Sequence, residues 1–277
     1  MKATRFIRKY FATGFVTVLM ILFVFPLVWM ALLSTQTRQA VFRFPPPILP
    51  GTALADNFRG LLAQIPYFQN LWNSFYIAAL NTLLILFVCS LAAYGFARFK
   101  RAPGNKILFY IVLGSLMVPP LAGIVPWFLL ISKFGWVNSH WALIIPPAAN
   151  AFGVFWMYQF IQQAVPHDLY EAAKIDGASD IRVYWQVVLP LIKPGLGALA
   201  VLSFLNSWQN FQMPLIVLTS TEKFTVPLAL SNLAGMYGTD IPGTMLGTTI
   251  SIIPIFIAFL FGTRYFIAGL TQGAVKS

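Results

Sequence analysis

The chain has 277 residues, of which 58% are hydrophobic and only 9% are charged, and its formal net charge is +11. About a quarter of the residues in a soluble domain carry charge, so this composition excludes an ordinary soluble fold and indicates a membrane protein. The basic residues stand between apolar runs and not on one face of a polar domain, which argues against nucleic-acid binding. The single cysteine, Cys89, excludes an intrachain disulfide and is interpreted as a small buried hydrophobe.

Six apolar segments are long enough to cross a bilayer, which takes roughly 20 residues of helix. None of them contains Asp, Glu, Lys or Arg. The first follows a basic N-terminus and is too long for a cleaved signal, so we expect it to be retained. The predicted spans are 11–34, 70–97, 107–131, 141–163, 195–218 and 244–261.

The distribution of Lys and Arg predicts the orientation of these spans. Thirteen of the 18 basic residues lie on the side of the N-terminus. The other five, on the opposite side, are Arg38, Arg43, Arg59, Lys133 and Lys223. Both termini are therefore predicted to be cytoplasmic.

The first outer loop contains the run "FPPPILPG", which favours a stiff polyproline-like conformation. The following "DNFRGLLAQ" is compatible with a short interfacial helix capped by Asp56. A simple connector is the alternative for both stretches.

Four of the seven acidic residues gather in one polar island between the fourth and fifth spans: Asp168, Glu171, Asp176 and Asp180. The pattern predicts a helix over 169–175, with Asp168 as cap, Glu171 as the reciprocal member of a capping box and Gly177 as the terminating turn. Ser179 or Asp180 would cap a second helix that stops at Pro190. Such short helices need a surface to pack on, and Ala172 and Ala173 would let one approach closely. A capped loop without a partner remains the alternative.

The sequence lacks the motifs of an enzyme that acts alone. There is no phosphate-binding Gly-x-x-x-x-Gly-Lys-Ser/Thr loop and no Gly-x-Ser-x-Gly elbow, and a whole span separates His140 from His167. We expect neither a metal nor a cofactor in this chain.

All seven acids lie outside the spans, which weakens the interpretation as an ion-driven carrier, although backbone carbonyls can also hold sodium. The energy for transport would then enter through a partner.

The stretch "EAAKIDGASDIRVYWQVVLPLIKPG" resembles the Glu-Ala-Ala motif of permease subunits in binding-protein-dependent ABC importers. The segments "FGWVNSHWALIIP", "FLNSWQNFQMPLIVL" and "AGLTQGAVKS" are similar to the smaller permease of maltose-type carbohydrate importers, and the resemblance covers roughly 70–277. The motif positions are Glu171, Ala172, Ala173, Asp176, Gly177, Ala178, Leu189, Pro190 and Pro194.

The resemblance implies that the island docks in a cleft of an ATPase subunit and transmits its closure to the spans. The coupling residues would be Glu171, Ala172, Ala173, Lys174, Asp176 and Gly177. It also implies contact of the C-terminal tail with the ATPases through Gln272, Gly273 and Lys276, a frayed end being the alternative. The implied partners are two ATPase subunits that bind ATP and magnesium, a second permease, an extracytoplasmic solute-binding protein and membrane lipid.

The fifth span carries polar residues at helical spacing, which predicts a common face. This face could line a sugar path, with Trp208 or Phe211 as a stacking surface, or could form hydrogen bonds between helices. The residues are Ser203, Asn206, Ser207, Asn210 and Met213. A stripe of small residues on the sixth span, Gly243, Gly247 and Ser251, favours helix packing.

The sequence therefore predicts an all-α polytopic protein with six transmembrane helices and a cytoplasmic coupling helix-loop-helix. Residues 1–69 would form the basic segment, first helix and outer loop, and 70–277 the permease core, with the coupling loop at 164–193. The expected function is a non-catalytic permease subunit of an ATP-driven sugar importer. A glycerol-phosphate or polyol importer, an autonomous secondary transporter and a membrane scaffold remain alternatives, and the identity of the sugar stays open.

Overall fold

A computed structural model of the chain describes residues 2–236 and 240–272, with side chains described for 11–233, 240–263. The described residues form α-helices and short turns without a strand, as an all-α fold requires. In chain order the α-helices are α1 (Lys2–Leu33), α2 (Arg38–Val41), α3 (Leu54–Gln64), α4 (Tyr67–Arg98), α5 (Asn105–Ser115), α6 (Ile124–Lys133), α7 (Trp141–Ile144), α8 (Ala151–Ala164), α9 (His167–Ile175), α10 (Asp180–Val183), α11 (Leu189–Leu191), α12 (Lys193–Trp208), α13 (Gln212–Val217), α14 (Val226–Met236) and α15 (Ile241–Gln272).

Three stretches of helix among the described residues are long and apolar enough to cross a membrane: Phe11–Leu33, Tyr67–Arg98 and Ile241–Thr263. Two bent pairs would raise the number to five, Asn105–Ser115 with Pro120–Lys133 at 100° and Asp180–Leu191 with Lys193–Trp208 at 78°. The number six stays a prediction.

Three predicted spans are not continuous helices. The third is broken between Ser115 and Ile124, where Pro119 and Pro120 remove backbone donors and a 3-10 turn takes over. The fourth is interrupted by a turn over Pro146–Ala148, which leaves a main helix of only 14 residues. The fifth ends at Trp208 and resumes at Gln212. The structure also contains α14, which the sequence pattern did not predict.

The chain divides into two compact units, each with its own packing. The first comprises Met1–Tyr67 and Ala229–Ile253, and the second Phe68–Leu228 and Pro254–Ser277. In the first unit, Gly247 lies where a side chain would meet the Leu230 Cδ2 atom at 2.5 Å, and its carbonyl accepts a 2.6 Å hydrogen bond from the Tyr67 hydroxyl. This close approach favours the packing interpretation of the small-residue stripe.

The outer loop of the first unit forms a short helix, but Asp56 does not cap it. The cap position belongs to Ala53, which makes no side-chain hydrogen bond, and Asp56 lies in the first turn and pairs with Arg59 at 3.3 Å. The helix begins three residues earlier than a cap at Asp56 predicts. Asp56 still places negative charge at the positive end of the helix.

One buried carboxylate ties this loop region together. Asp240 is 5% exposed and contacts Arg38 at 3.0 Å. Its carboxylate also accepts hydrogen bonds from the Gln64 amide at 3.1 Å and the Gly243 N–H at 3.3 Å. Burial acts to raise the pKa of Asp240, but these donors and the Arg38 charge prevail and hold the pKa below its usual range.

The core of the second unit lies where α4 and α8 pack against the polar island. Cys89 is completely buried there, as predicted. Tyr170, Val183 and Tyr184 belong to the same cluster, so the base of the island is part of the core. This core fixes the position of the candidate site.

Candidate functional site

The polar island is built as a helix, a tight turn and a second short helix. Helix α9 starts at His167 after Pro166, whose φ of −57° suits a helix start. The predicted capping box is therefore wrong, because Asp168 lies inside the first turn and no side chain caps the helix. Asp168 nevertheless places its charge next to the positive helix end.

The turn that ends α9 agrees with the prediction at Gly177. Its φ of +71° is in the left-handed region, which glycine adopts without a steric penalty. The Gly177 N–H donates to the Lys174 carbonyl at 3.1 Å, and the Ala178 N–H donates to the Ala173 carbonyl at 2.9 Å. These two bonds form a Schellman motif, which satisfies the last carbonyls of α9 and reverses the chain.

The second arm is more irregular than predicted. Of the two proposed caps, Ser179 fills the role, and its hydroxyl accepts from the Arg182 N–H at 3.4 Å. After α10 the chain forms a π-helical turn over Tyr184–Val188. The predicted stop at Pro190 is wrong, because this proline lies in the first turn of α11, where its missing N–H is tolerated, and the break follows at Ile192.

The base of the island is clamped onto the end of α4. The Arg98 guanidinium contacts the Asp180 carboxylate at 3.0 Å, and the Tyr94 hydroxyl donates to the Asp180 carbonyl at 3.0 Å. The Tyr184 hydroxyl shares a 2.7 Å hydrogen bond with Ser90. Side-chain contacts therefore connect the island directly to α4.

Tyr170 of α9 packs against Arg98 in the same contact between the island and α4. Its ring lies under the Arg98 guanidinium, 5.3 Å from carbon to centroid, within cation–π range. Burial raises the pKa of Tyr170 to about 12. The tyrosine therefore stays neutral and acts as a packing residue beneath the helix.

The predicted coupling residues divide between an exposed and a buried side. Ala173 faces the core at 9% exposure, so a docking partner cannot use it as a landing site in this conformation. Those that are exposed are Glu171, Ala172, Lys174, Asp176 and Gly177.

Sequence reasoning missed three large apolar side chains on the same exposed surface. Ile175 is 86% exposed, Ile181 72% and Trp185 51%. Exposed apolar side chains that form a patch are typical of surfaces that contact another protein or a membrane. Their presence inside the most polar stretch of an apolar chain was the available signal.

The predicted sugar-path residues do not share one continuous helical face, because α12 ends at Trp208. Asn210 lies in the break and its side chain accepts from the Met213 N–H at 3.2 Å, so it supports the start of α13. Trp208 is 3% exposed and stacks on Phe204 at 5.7 Å. Ser203 is buried, Asn206 is exposed, and Ser207, Phe211 and Met213 are half-buried.

The predicted tail contact lies at the limit of the description. Gln272 is the last described residue of α15, and Gly273 and Lys276 lie outside the described residues. Within the described part of the chain, no three His, Cys, Asp or Glu side chains gather where they could hold a metal ion.

Comparison with known proteins places this geometry in context. Residues 86–272 match the family of binding-protein-dependent transport system inner membrane components. The chain is 34% identical over 253 residues to the lactose transport system permease protein LacG of Rhizobium radiobacter, covering 91% of each chain. It is 35% identical over 267 residues to the arabinooligosaccharides transport system permease protein AraQ of Bacillus subtilis, covering 95% of this chain and 94% of that protein.

A solved structure shares the fold. It belongs to a bacterial ABC transporter involved in the import of the acidic polysaccharide alginate, with a TM-score of 0.80 at 20% identity. The superposition covers 94% of this chain and 96% of the other. The arrangement of helices is therefore that of a known ABC transporter chain.

Proposed function

This chain belongs to the family of binding-protein-dependent transport system inner membrane components, and from this membership we propose that it is a permease subunit of an ATP-driven sugar importer. In this proposal the chain forms the translocation path together with a second permease. Two ATPase subunits supply the energy and an extracytoplasmic binding protein delivers the solute. The sugar assignment is supported by the relatives LacG and AraQ, whose names specify sugar transport.

The observation that carries the coupling role is the two-sided construction of the polar island. Its outer side presents Glu171 beside apolar side chains such as Ile175, while its inner side is bonded to α4 through Arg98 and Asp180. A partner ATPase that grips the outer side would move the inner side with it. Glu171 is exposed and is therefore available for a charge-assisted bond to a basic residue of that partner.

The solute path is the less developed part of the proposal. The side chains that are not buried near the break between α12 and α13 are the candidates to contact a sugar from this chain: Asn206, Ser207, Asn210, Phe211 and Met213. Buried Trp208 would need to leave Phe204 to act as a stacking surface. The tail residues Gln272, Gly273 and Lys276 remain candidates for a contact with the ATPases.

The test is ATP-driven uptake by the complete complex in liposomes, with Glu171→Ala compared with Glu222→Ala. Both changes remove one carboxylate, but Glu222 lies in the Thr221–Lys223 turn, outside the island. We expect uptake to fall at least tenfold for Glu171→Ala, since a lost charge-assisted contact of about 1.5–3 kcal/mol corresponds to a factor of this size. Glu222→Ala should transport normally.

The same assay separates the proposal from its rivals. A panel of lactose, arabinooligosaccharides and glycerol phosphate, each offered with the binding protein, identifies the solute class by stimulation of ATP hydrolysis. Equal uptake by Glu171→Ala and Glu222→Ala would refute the coupling role. Accumulation by this chain alone under an ion gradient would instead establish an autonomous carrier.

A further inference from the structure

A cleft of about 620 Å³ lies between the end of α4 and the first half of α9. It is lined by the loop that joins α4 to α5 and by residues of α9, one of which is the exposed Glu171 of the polar island. Its lining is Ala97, Arg98, Phe99, Lys100, Arg101, Ala102, His167 and Glu171.

The charges in this cleft do not cancel. Arg98 is neutralised by Asp180, but no carboxylate lies within ion-pair distance of Lys100 or Arg101 among the residues whose side chains are described. The Lys100 ammonium donates to the neutral Gln162 side chain at 2.6 Å and keeps two further N–H donors. With the Glu171 carboxylate counted against Lys100 and Arg101, the acidic and basic side chains of the cleft other than the paired Arg98 leave an excess of about one positive charge.

The cleft lies at the polar loop that joins the apolar helices α4 and α5. The apolar helix α4 ends at Arg98, and α5 begins at Asn105 and presents Ile107 at 67% and Ile111 at 62% exposure. The start of α5 is bonded to α4, because the Asn105 side-chain amide donates to the Phe96 carbonyl of α4 at 3.3 Å. A molecule with its anionic group in the cleft could thus lay an apolar chain along α5.

We propose that this cleft binds the phosphodiester group of an anionic phospholipid, whose acyl chains lie on the exposed face of α5. The single negative charge of a phosphodiester matches the excess charge of the cleft. Basic pockets between membrane helices are suited to such headgroups. The inference goes beyond the transport role and does not depend on which solute is carried.

The experiment measures phospholipid binding to the detergent-purified full chain, with its co-expressed subunits, by native mass spectrometry. Phosphatidylglycerol is titrated against phosphatidylcholine, which carries the same phosphodiester without net charge. We expect Lys100→Ala with Arg101→Ala to weaken phosphatidylglycerol binding about 30-fold, at about fivefold for each basic residue. The charge-conserving pair Lys100→Arg with Arg101→Lys should bind as the wild type does.

Lys106→Ala is the matched control for the single change Arg101→Ala. Lys106 is the second residue of α5, close to the loop that joins α4 to α5, and it does not line the cleft. We expect it to leave phosphatidylglycerol binding within twofold of the wild type, while Arg101→Ala weakens binding about fivefold. Equal losses for both would indicate general surface attraction and overturn the proposal.

Competition with inorganic phosphate distinguishes a phospholipid headgroup from a free phosphate ion as the group that the cleft binds. If millimolar phosphate displaces phosphatidylglycerol only when Lys100 and Arg101 are present, the cleft is a phosphate site that a free ion can also fill. If phosphate has no effect, the acyl chains contribute and the lipid is the ligand. Unchanged phosphatidylglycerol binding by the double alanine variant, with or without loss of a co-purifying ATPase, would overturn the proposal.

Discussion

Two aspartates in this protein each hold a connecting segment in place, but in different surroundings. Asp240 is 5% exposed and has three partners, Arg38, Gln64 and the Gly243 N–H. The side chain of Asp180 is 48% exposed and pairs with Arg98 alone. A buried carboxylate with several donors fixes a segment as part of the core, whereas a half-exposed pair can break and re-form while the fold persists. The contrast agrees with a fixed contact of α2 and α3 with the start of α15, and with the proposed role of the island as a coupling element that moves.

The largest loss of stability should follow Asp240→Ala, because it leaves the Arg38 charge and the Gln64 amide without their acceptor. We expect the free energy of unfolding in detergent to fall by about 3 kcal/mol, at the low end for a broken buried pair since Arg38 is half-exposed. Asp56→Ala removes an exposed pair and should cost under about 0.5 kcal/mol. Equal costs in denaturant titrations would remove the distinction between buried and exposed pairs.

The contribution of the Asp240 carboxylate to stability should depend on pH. Because the pKa of Asp240 in the folded protein is below its usual range, the charged form stabilises the fold above about pH 4, and this contribution is lost as the pH falls through the lowered pKa. The stability difference between wild type and Asp240→Asn should therefore shrink from pH 6 to pH 3. A difference that is constant over that range would contradict the role of the charge. Unfolding midpoints measured at each pH provide the test.

Asp180→Ala should cost less, about 1 kcal/mol, because the Asp180 side chain is half-exposed, the bond from Tyr94 to its backbone remains, and Arg98 keeps its contact with the Tyr170 ring. In the proposed coupling, transport should be more sensitive than stability, since the island would lose one of its links to α4. Arg182→Ala, which removes a neighbouring bond to Gln186 without touching α4, is the control. If Asp180→Ala unfolds the protein as readily as Asp240→Ala, the island is a rigid part of the core and the comparison fails.

Ile175→Ser should have the smallest effect on stability, under about 0.5 kcal/mol, because the side chain is 86% exposed and contributes little to the fold. If an ATPase covers this surface, co-purification of that subunit should nevertheless decrease. Ile48→Ser, at 76% exposure in the outer loop, makes the same chemical change elsewhere. Equal retention of the ATPase by both variants would show that Ile175 is not part of the contact.

Local rules predicted the parts of the site that depend on neighbouring residues. Gly177 was identifiable because a glycine just after a helix favours the left-handed turn that ends it. The cap of the second helix was narrowed to Ser179 or Asp180, since both side chains can accept a hydrogen bond at a helix start. The capping box failed for a local reason too, since Pro166 offered an earlier start. The clamp between Arg98 and Asp180 joins residues 82 positions apart, and no sequence pattern specified it.

The spans show the same division between local and distant information. The predicted spans agree with both ends of α4, with the C-terminal end of α1 and with the N-terminal end of α15 to within three residues. Helix α1 begins earlier than predicted, and α15 continues beyond the predicted end. Hydrophobicity could not show that the third span bends by 100°, because apolar residues continue through the break. Proline positions indicated kinks in general, but only packing decides which of them become breaks.

The bend of 78° between Asp180–Leu191 and Lys193–Trp208 gives the polar island a mechanical property. If the pair between Asp180 and Arg98 opens during the proposed coupling, an arm set nearly at right angles to a helix would act as a crank, so that a sideways displacement of its tip becomes rotation about the axis of α12. The arm is roughly 18 Å long at about 1.5 Å per residue, and a displacement of about 3 Å at its tip corresponds to roughly 10° of rotation. Small movements of a bound ATPase would therefore turn the polar and aromatic residues near the end of α12 without stretching the chain.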